Sequence, residues 1–405
     1  MNRGVLEGVR IVDFTWAWAG PYGTLLLSML GAEVIKIESS KRPDHTRVRS
    51  LKAGRMDTSS PDHSTIFADL NYNKLGITLN LSRPEAIKLA KRLIAVSDVV
   101  VENFRPGVLK RLGLGYEVVK KLKPDIIMLS SSALGGFGPQ RNYTGYAPTF
   151  AALGGLTHIT GYADGEPKTL MGSVDLRSAT ATAFAILAAL NHRATTGEGQ
   201  YIDLSSRESV AVLIGDVLMD YAMNGRSQGR MGNDDGISAP HNCYRCQGED
   251  KWVSIAVTTE EEWQAFRRAI GDPEWAKDEK FADGFRRWQN RAELDRHVAE
   301  WTRERTHYEV TEILQAAGVA AIPSFNGEEL YTGPHLKERS CWVQIEHPVI
   351  GRRTTLGPPW NLSATPGKVY RHAPLLGQHN DLVFGELLGL SDDEIEHLRK
   401  DGVMV

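Results

Sequence analysis

Residues 6–38 read LEGVRIVDFTWAWAGPYGTLLLSMLGAEVIKIE. Val9 to Phe14 reads as a strand, rich in β-branched residues and closed by an aromatic one. Gly20-Pro21 marks a turn. The apolar stretch Thr24 to Leu30 predicts a helix that stops at Gly31, since glycine takes the left-handed backbone that a helix end needs. Glu33 to Ile37 reads as the next strand. Strand, helix and strand in alternation predict a mainly parallel sheet with helices on its faces.

Working outward, the alternation continues. Ile77 to Leu81, Asp98 to Phe104, Asp125 to Ser132 and Tyr201 to Leu204 read as further strands. Ser82-Arg83-Pro84-Glu85 has the form of a capping box. Ala86, Leu89, Ala90 and Leu93 follow at helical spacing. Ala179 to Leu190 predicts a helix buried on most sides, and Val210 to Met223 a long one. From Gly225 to Ala239 the chain turns to Gly, Asn, Asp and Ser, the texture of a linker or functional loop. Residues 250–320 are more charged and helical, and predict a second, smaller domain. Beyond about 325 the chain is loop-rich, with Gly357-Pro358-Pro359, and it finishes in a capped helix from Ser391 to Lys400. The strand–helix junctions carry neither the GxGxxG of a dinucleotide site nor a phosphate-loop motif.

The bulk numbers exclude several classes. The chain has 405 residues, 41% apolar and 24% charged, with a net charge of −3. A nucleic-acid binder carries a basic excess, which is absent. No run reads as long enough to cross a bilayer, and the N-terminus lacks a signal-peptide core, so a cytoplasmic location with no membrane partner is expected. Cys243 and Cys246 form a CxxC after His241, which is half of a structural zinc set, so no metal is expected.

Asp175, in Gly172-Ser173-Val174-Asp175-Leu176, stands just before the small-residue helix. Aspartate there reads as an N-cap. The same geometry also suits an ionised carboxylate poised to attack an acyl group, a reading that local sequence favours less than the cap. Local sequence leaves both open.

Larger motifs bear on the choice. Residues 6–38, Asn71-Tyr72-Asn73-Lys74, ENFRPGVLKRLGLGYE (102–117), ILAALNHRATTGEGQYIDLS (186–205) and RHAPLLGQHN (371–380) together resemble the class III CoA-transferases. The resemblance implies a Rossmann-like α/β large domain built from residues 1–224 and 326–405. A small α+β domain with its linkers is inserted at 225–325, and the subunits form an interlocked-ring dimer, either of one chain or with a paralogous subunit. It implies that Asp175 is the nucleophile, and that coenzyme A thioesters are substrates with no permanently bound cofactor. The expected partners are an acyl-CoA donor, succinyl-CoA, and a carboxylic acid acceptor, (R)-benzylsuccinate.

The resemblance also implies a CoA site at Trp18 and Ala19, at Leu79, Asn80, Leu81 and Ser82, at Asn103, Phe104 and Arg105, at Arg111, and at Gly145 and Tyr146. An arginine fork suits phosphate, although Arg111 also reads as a solvated helix charge and Tyr146 as a half-buried aromatic. Trp16 and Gly236 are expected at the substrate pocket, with Trp16 equally readable as core. Two departures stand out. Ser39 occupies a place where many members carry a phosphate-gripping arginine, with Lys41 and Arg42 as substitutes. Asp235-Gly236-Ile237-Ser238 keeps one glycine of a run of four. α-Methylacyl-CoA racemases share the pattern, but Tyr146 stands where they carry a histidine, and a phenol with a pKa of about 10 is a poor base at neutral pH. A non-catalytic subunit and a pyridine-nucleotide oxidoreductase are the remaining alternatives. The first is disfavoured by Asp175 and the second by the missing fingerprint.

Overall fold

The computed structural model describes residues 4–49, 60–170 and 172–405. The chain divides into two compact units, one of residues 1–157, 169–223 and 337–405, the other of residues 158–168 and 224–336. The return to the large unit thus comes at Lys337 rather than near 326, and the small unit also takes residues 158–168.

In the large unit the strands are β1 (Arg10–Asp13), β2 (Glu33–Glu38), β3 (Leu75–Thr78), β4 (Val99–Glu102), β5 (Ile127–Ser132) and β6 (Tyr201–Ser205). They form a parallel sheet in the order β3-β2-β1-β4-β5-β6. This is the doubly wound order, with a reversal between β1 and β4 where such sheets bind ligands. Side chains alternate across the sheet. Val12, Ile35, Val100 and Met128 pack on one face with Leu89 and Leu93 of helix α2 (Pro84–Ala95) and with Phe384 and Ile395. Ile11, Val34, Val99 and Ile127 pack on the other with Leu26 and Leu27 of α1 (Ala19–Met29), and with Ala183 and Ile186 of α3 (Ser173–Thr196). Burial on both faces explains why these strands read as continuous apolar runs.

Helices α1 and α3 approach closely at Gly23, where a Cβ would stand 3.0 Å from Thr182. α3 runs for 24 residues. Contrary to expectation, it is long and apolar enough by length and composition to cross a bilayer. In this fold Ala179, Thr182, Ala183, Ile186 and Ala189 are buried in the domain, and the core helix of an α/β layer passes the same test.

Three local expectations are corrected. α2 begins at Pro84 after Arg83, with no side-chain cap; proline at the first position lacks an N–H that would go unpaired there anyway. Ser82 instead donates to Asn80 Oδ1 at 2.7 Å. The long helix expected over 210–223 is divided into α4 (Ser206–Ala211), a tight turn at Val212–Ile214 and a helix over Gly215–Asn224. Asp175 is the third residue of α3 rather than its cap, because Gly172 takes the cap position with φ +79°.

Beneath the first turn lies a buried charge network. Lys74 Nζ donates to Asp13 Oδ2 at 3.0 Å, and also to Pro21 O, Thr24 Oγ1 and Asn71 Oδ1. Lys36 donates to Asp44 Oδ2 at 3.0 Å and to Thr15 O at 2.7 Å. Burial alone would raise the Asp13 carboxyl, but Lys74, Lys36 and the hydroxyls of Thr15 and Thr24 outweigh it and hold it below its usual range. Glu38 accepts from Arg47, which also pairs with Asp62 at 2.7 Å.

The outer edge of the sheet is covered by the distal segment. Gly76 N donates to His379 Nδ1 at 3.0 Å, and Thr78 N to Asn380 Oδ1 at 2.9 Å. Gly76 admits this approach, since a Cβ there would stand 2.7 Å from Pro374.

The small unit is α+β. Strands β7 (His241–Arg245), β8 (Trp252–Ala256) and β9 (Ala320–Pro323) form an antiparallel sheet. It packs on helices Glu260–Ala269, Arg291–Arg303 and His307–Ala316 through Val253, Ile255, Trp263, Phe266, Leu294 and Leu314. Cys243 and Cys246 are free thiols. Among the described residues no group of three or more His, Cys, Asp or Glu is placed to hold a metal ion.

Two stability predictions follow from the buried charges. Lys74→Met removes the cation hydrogen-bonded to buried Asp13 and leaves only Lys36 nearby, and is expected to lower the unfolding free energy by roughly 3–5 kcal/mol. Urea denaturation measures the loss, and a midpoint equal to wild type would show that the pair contributes nothing. Glu102, at the end of β4, is buried. That burial raises its carboxyl to about 7 despite hydrogen bonds from Ser130 and the Phe104 N–H, and Asp203 adds to the rise. The folded chain therefore keeps a proton that the unfolded chain releases near 4.5, and stability from this group is lost as pH rises from 4.5 through about 7. Glu102→Gln, always neutral, is expected to gain on wild type by roughly 3 kcal/mol across that window; parallel pH–stability curves for the two proteins would refute the assignment.

Candidate active site

The turns that leave the carboxyl ends of the strands surround a cavity of about 920 Å³ in the large unit. Its position at the carboxyl edge, across the β1/β4 reversal, is where doubly wound sheets take ligands.

The turn after β1 is built by backbone contacts that its own sequence does not supply. Asn103, just past β4, accepts from Trp16 N and donates to Trp16 O, both at 2.8 Å. Asp44 Oδ1 accepts from Ala17 N at 3.1 Å. Ala17 lies at φ +65°, a strained position for a residue with a Cβ, and these two partners hold it there. The Trp16 indole meets Phe104 and His45 edge-on, each with ring centres 5.6 Å apart, and the Arg42 guanidinium lies 5.6 Å from its ring centre. One wall of the cavity is thus aromatic and rimmed by cations.

Asp175 enters the cavity from the first turn of α3. Its carboxyl is raised above its usual range by burial. Among the described residues no cation or hydrogen-bond donor offsets that burial. A helix N-terminus favours the anion, yet here desolvation prevails. A carboxylate that is weakly solvated and unpaired is a more basic, more nucleophilic oxygen than one held in an ion pair. It contrasts with Asp13, which its cations hold low.

The structure brings together Trp16, Trp18, Ala19, Leu79, Asn80, Leu81, Ser82, Asn103, Phe104, Arg105, Gly145, Tyr146 and Asp175 as lining of the one cavity. Lys41 and Arg42 line it beside Ser39. Arg111 does not; it is exposed at the end of the short helix Val108–Arg111. Gly236 belongs to the small unit, exposed at φ +79°, where its N–H donates to Asp234 Oδ1 at 2.7 Å. The Asp235 carboxylate accepts from the N–H groups of Ile237 and Ser238, so side-chain acceptors organise this loop.

Sequence reasoning missed His45, Arg141 and Tyr143 in the lining. Arg141 and Tyr143 stand in irregular chain, His45 opens a helix of only five residues (His45–Arg49), and no local motif marks any of them. Ser132, at the end of β5, also lines the cavity, and its buried Oγ has no hydrogen-bond partner.

Comparison with known proteins places this geometry. The pattern of CoA-transferase family III spans residues 6–380. A protein named succinyl-CoA–D-citramalate CoA-transferase from Chloroflexus aurantiacus is 34% identical, with 98% of each chain covered. A human protein named succinyl-CoA:glutarate CoA-transferase is 30% identical over 100% of this chain and 90% of its own. The crystal structure of a CAIB/BAIF family protein from Brucella suis superposes with a TM-score of 0.84 at 30% identity, covering 95% of this chain and 100% of that one. The chain is therefore a member of CoA-transferase family III, an enzyme that moves coenzyme A between an acyl-CoA and a carboxylic acid.

Proposed function

We propose that Asp175 is the nucleophile of this transfer, that succinyl-CoA is the donor, and that the acceptor is a dicarboxylic acid of the substituted-succinate class, (R)-benzylsuccinate first among them. The observation that carries the reading is the Asp175 carboxyl, raised by burial and opening into the cavity that the post-strand turns enclose. Relatives named for succinyl-CoA with citramalate and with glutarate support the donor and the dicarboxylate class. The aromatic wall around Trp16 supports a bulky acceptor.

The chemistry runs as paired acyl exchanges. An Asp175 oxygen adds to the thioester carbonyl carbon of the donor. The C–S bond breaks, CoA leaves as thiolate, and a mixed anhydride remains. The thiolate then attacks the aspartyl carbonyl carbon and expels the donor acid as carboxylate, leaving an aspartyl-CoA thioester. The acceptor carboxylate attacks that carbon and again releases the thiolate. The thiolate takes the acceptor acyl carbon and returns Asp175 to a carboxylate. The acyl group stays activated at every stage, as thioester or as the more reactive anhydride, so one difficult exchange becomes several easier ones. Lys41, Arg42, Arg105 and Arg141 are the cations lining the cavity, available to the nucleotide phosphates and to the second carboxylate of the acid.

The working unit in this reading is an interlocked-ring dimer. Phe184, Val212, Leu218, Met219, Tyr221 and Met223 are each more than half exposed in the single chain. Five of these six fall within residues 212–223, and an apolar stretch left that exposed supports a protein contact there.

Two measurements test these proposals. The purified protein incubated with succinyl-CoA and quenched with hydroxylamine is expected to carry its label on Asp175 by peptide mass spectrometry, with label and turnover lost in Asp175→Ala. A label on another residue would remove the nucleophile assignment. Light scattering is expected to give twice the chain mass, and a monomer that retains full activity would remove the dimer.

A further inference from the structure

Helix α4 lies against the first turns of α3, where Asp175 stands. Three contacts join the two helices. Val174 packs with Val210. Arg177 Nε donates to Ser209 O at 3.4 Å. Ser178 Oγ lies 3.0 Å from Ser206 Oγ. Ser206 opens α4 directly after β6 and lines the same cavity as Asp175. Ser178 is one turn beyond Asp175 on α3, and residues three apart share a helix face with Cβ atoms about 5–6 Å apart. The Ser206 hydroxyl therefore stands close to the Asp175 carboxyl, yet no hydrogen bond joins them.

The two serine hydroxyls hold two protons and share one hydrogen bond. Ser178 is fully buried, and Ser206 is its one side-chain partner among the described residues. A Ser178 proton not given to Ser206 would be stranded in the interior, and a buried donor without an acceptor is costly. Ser178 is therefore the donor and Ser206 the acceptor. That leaves the Ser206 proton without an acceptor in the protein, on a residue that faces the cavity.

We propose that the Ser206 hydroxyl donates a hydrogen bond to the carbonyl oxygen of the acyl group that reacts at Asp175, an assignment that rests on Asp175 being the nucleophile. When an Asp175 oxygen adds to the thioester carbonyl carbon, the carbonyl π pair moves onto oxygen, which becomes negative. The Ser206 O–H meets that charge and keeps its proton. The pair returns as the C–S bond breaks and CoA leaves as thiolate. A donor aimed where charge develops lowers the barrier more than it tightens substrate binding. A neutral donor also suits the place better than a cation, which would pair with Asp175 and make its carboxylate less basic.

The test is the rate at which succinyl-CoA labels Asp175 in a single turnover of the full chain, quenched with hydroxylamine. Ser206→Ala is expected to slow labelling about a hundredfold. The succinyl-CoA concentration for half-maximal rate and the final amount of label are expected to stay as in wild type. Ser178→Ala breaks the same hydrogen bond but keeps the Ser206 proton, and is expected to cost at least tenfold less. Ser206→Thr keeps the hydroxyl and is expected to recover most of the rate. Urea unfolding checks that each variant is folded. Labelling of Ser206→Ala within about threefold of wild type would overturn the assignment. So would equal slowing in the two alanine variants, which would make the pair a tie between helices and nothing more. A wild-type Asp175 that takes no label fails the nucleophile reading itself, and the assignment falls with it.

Discussion

The site depends on charges kept dry and paired beneath the β1 turn. Asp13, Lys74, Lys36 and Asp44 are fully buried, where an unpaired ion costs several kcal/mol. Pairing alone does not repay that cost, but each ion here also satisfies backbone or side-chain groups that shape the cavity. Lys36 takes Thr15 O, Lys74 takes Pro21 O, and Asp44 takes Ala17 N. The network therefore fixes the path of the chain from Thr15 to Pro21, where Trp16 and Trp18 project. Apolar residues of the same volume would fill the space without specifying that path.

Three carboxyl groups of the large unit occupy three electrostatic environments. Asp13 is held low by two lysines and two hydroxyls. Glu102 is driven up to about 7 within the sheet and binds the Phe104 N–H. Asp175 is raised by burial at a helix start. Environments that push like groups apart suit different tasks: Asp13 is tied to its cations, Glu102 accepts from the Phe104 N–H at the end of β4, and Asp175 faces the cavity with no cation among the described residues to offset its burial.

Much of the architecture was legible because both faces of the sheet are buried, so the strands announce themselves as apolar runs. Helix starts were less so. The Ser82 signature was a plausible cap, but Asn80 takes its hydroxyl and Pro84 opens the helix. Asp175 carried the residue type of a cap, yet Gly172 adopts the left-handed backbone and shifts it inward. The post-strand turns could be anticipated from the sheet and the family resemblance. His45 and Arg141 could not, since a five-residue helix and a turn are too short to show a period that betrays a side chain's direction. The Asp13–Lys74 pair was equally hidden, because nothing local marks two residues 61 positions apart as neighbours.

The hydrogen bonds from β3 to residues 379 and 380 span about three hundred positions of chain, and Asn80 N and Ser40 N likewise donate to the carbonyls of Val403 and Val405. During synthesis the sheet-forming segments therefore emerge long before the strip that covers their edge. Until then β3 presents an open row of donors and acceptors, the kind of edge that recruits foreign strands. That interval closes once residues 379 and 380 have been made and can accept from Gly76 N and Thr78 N.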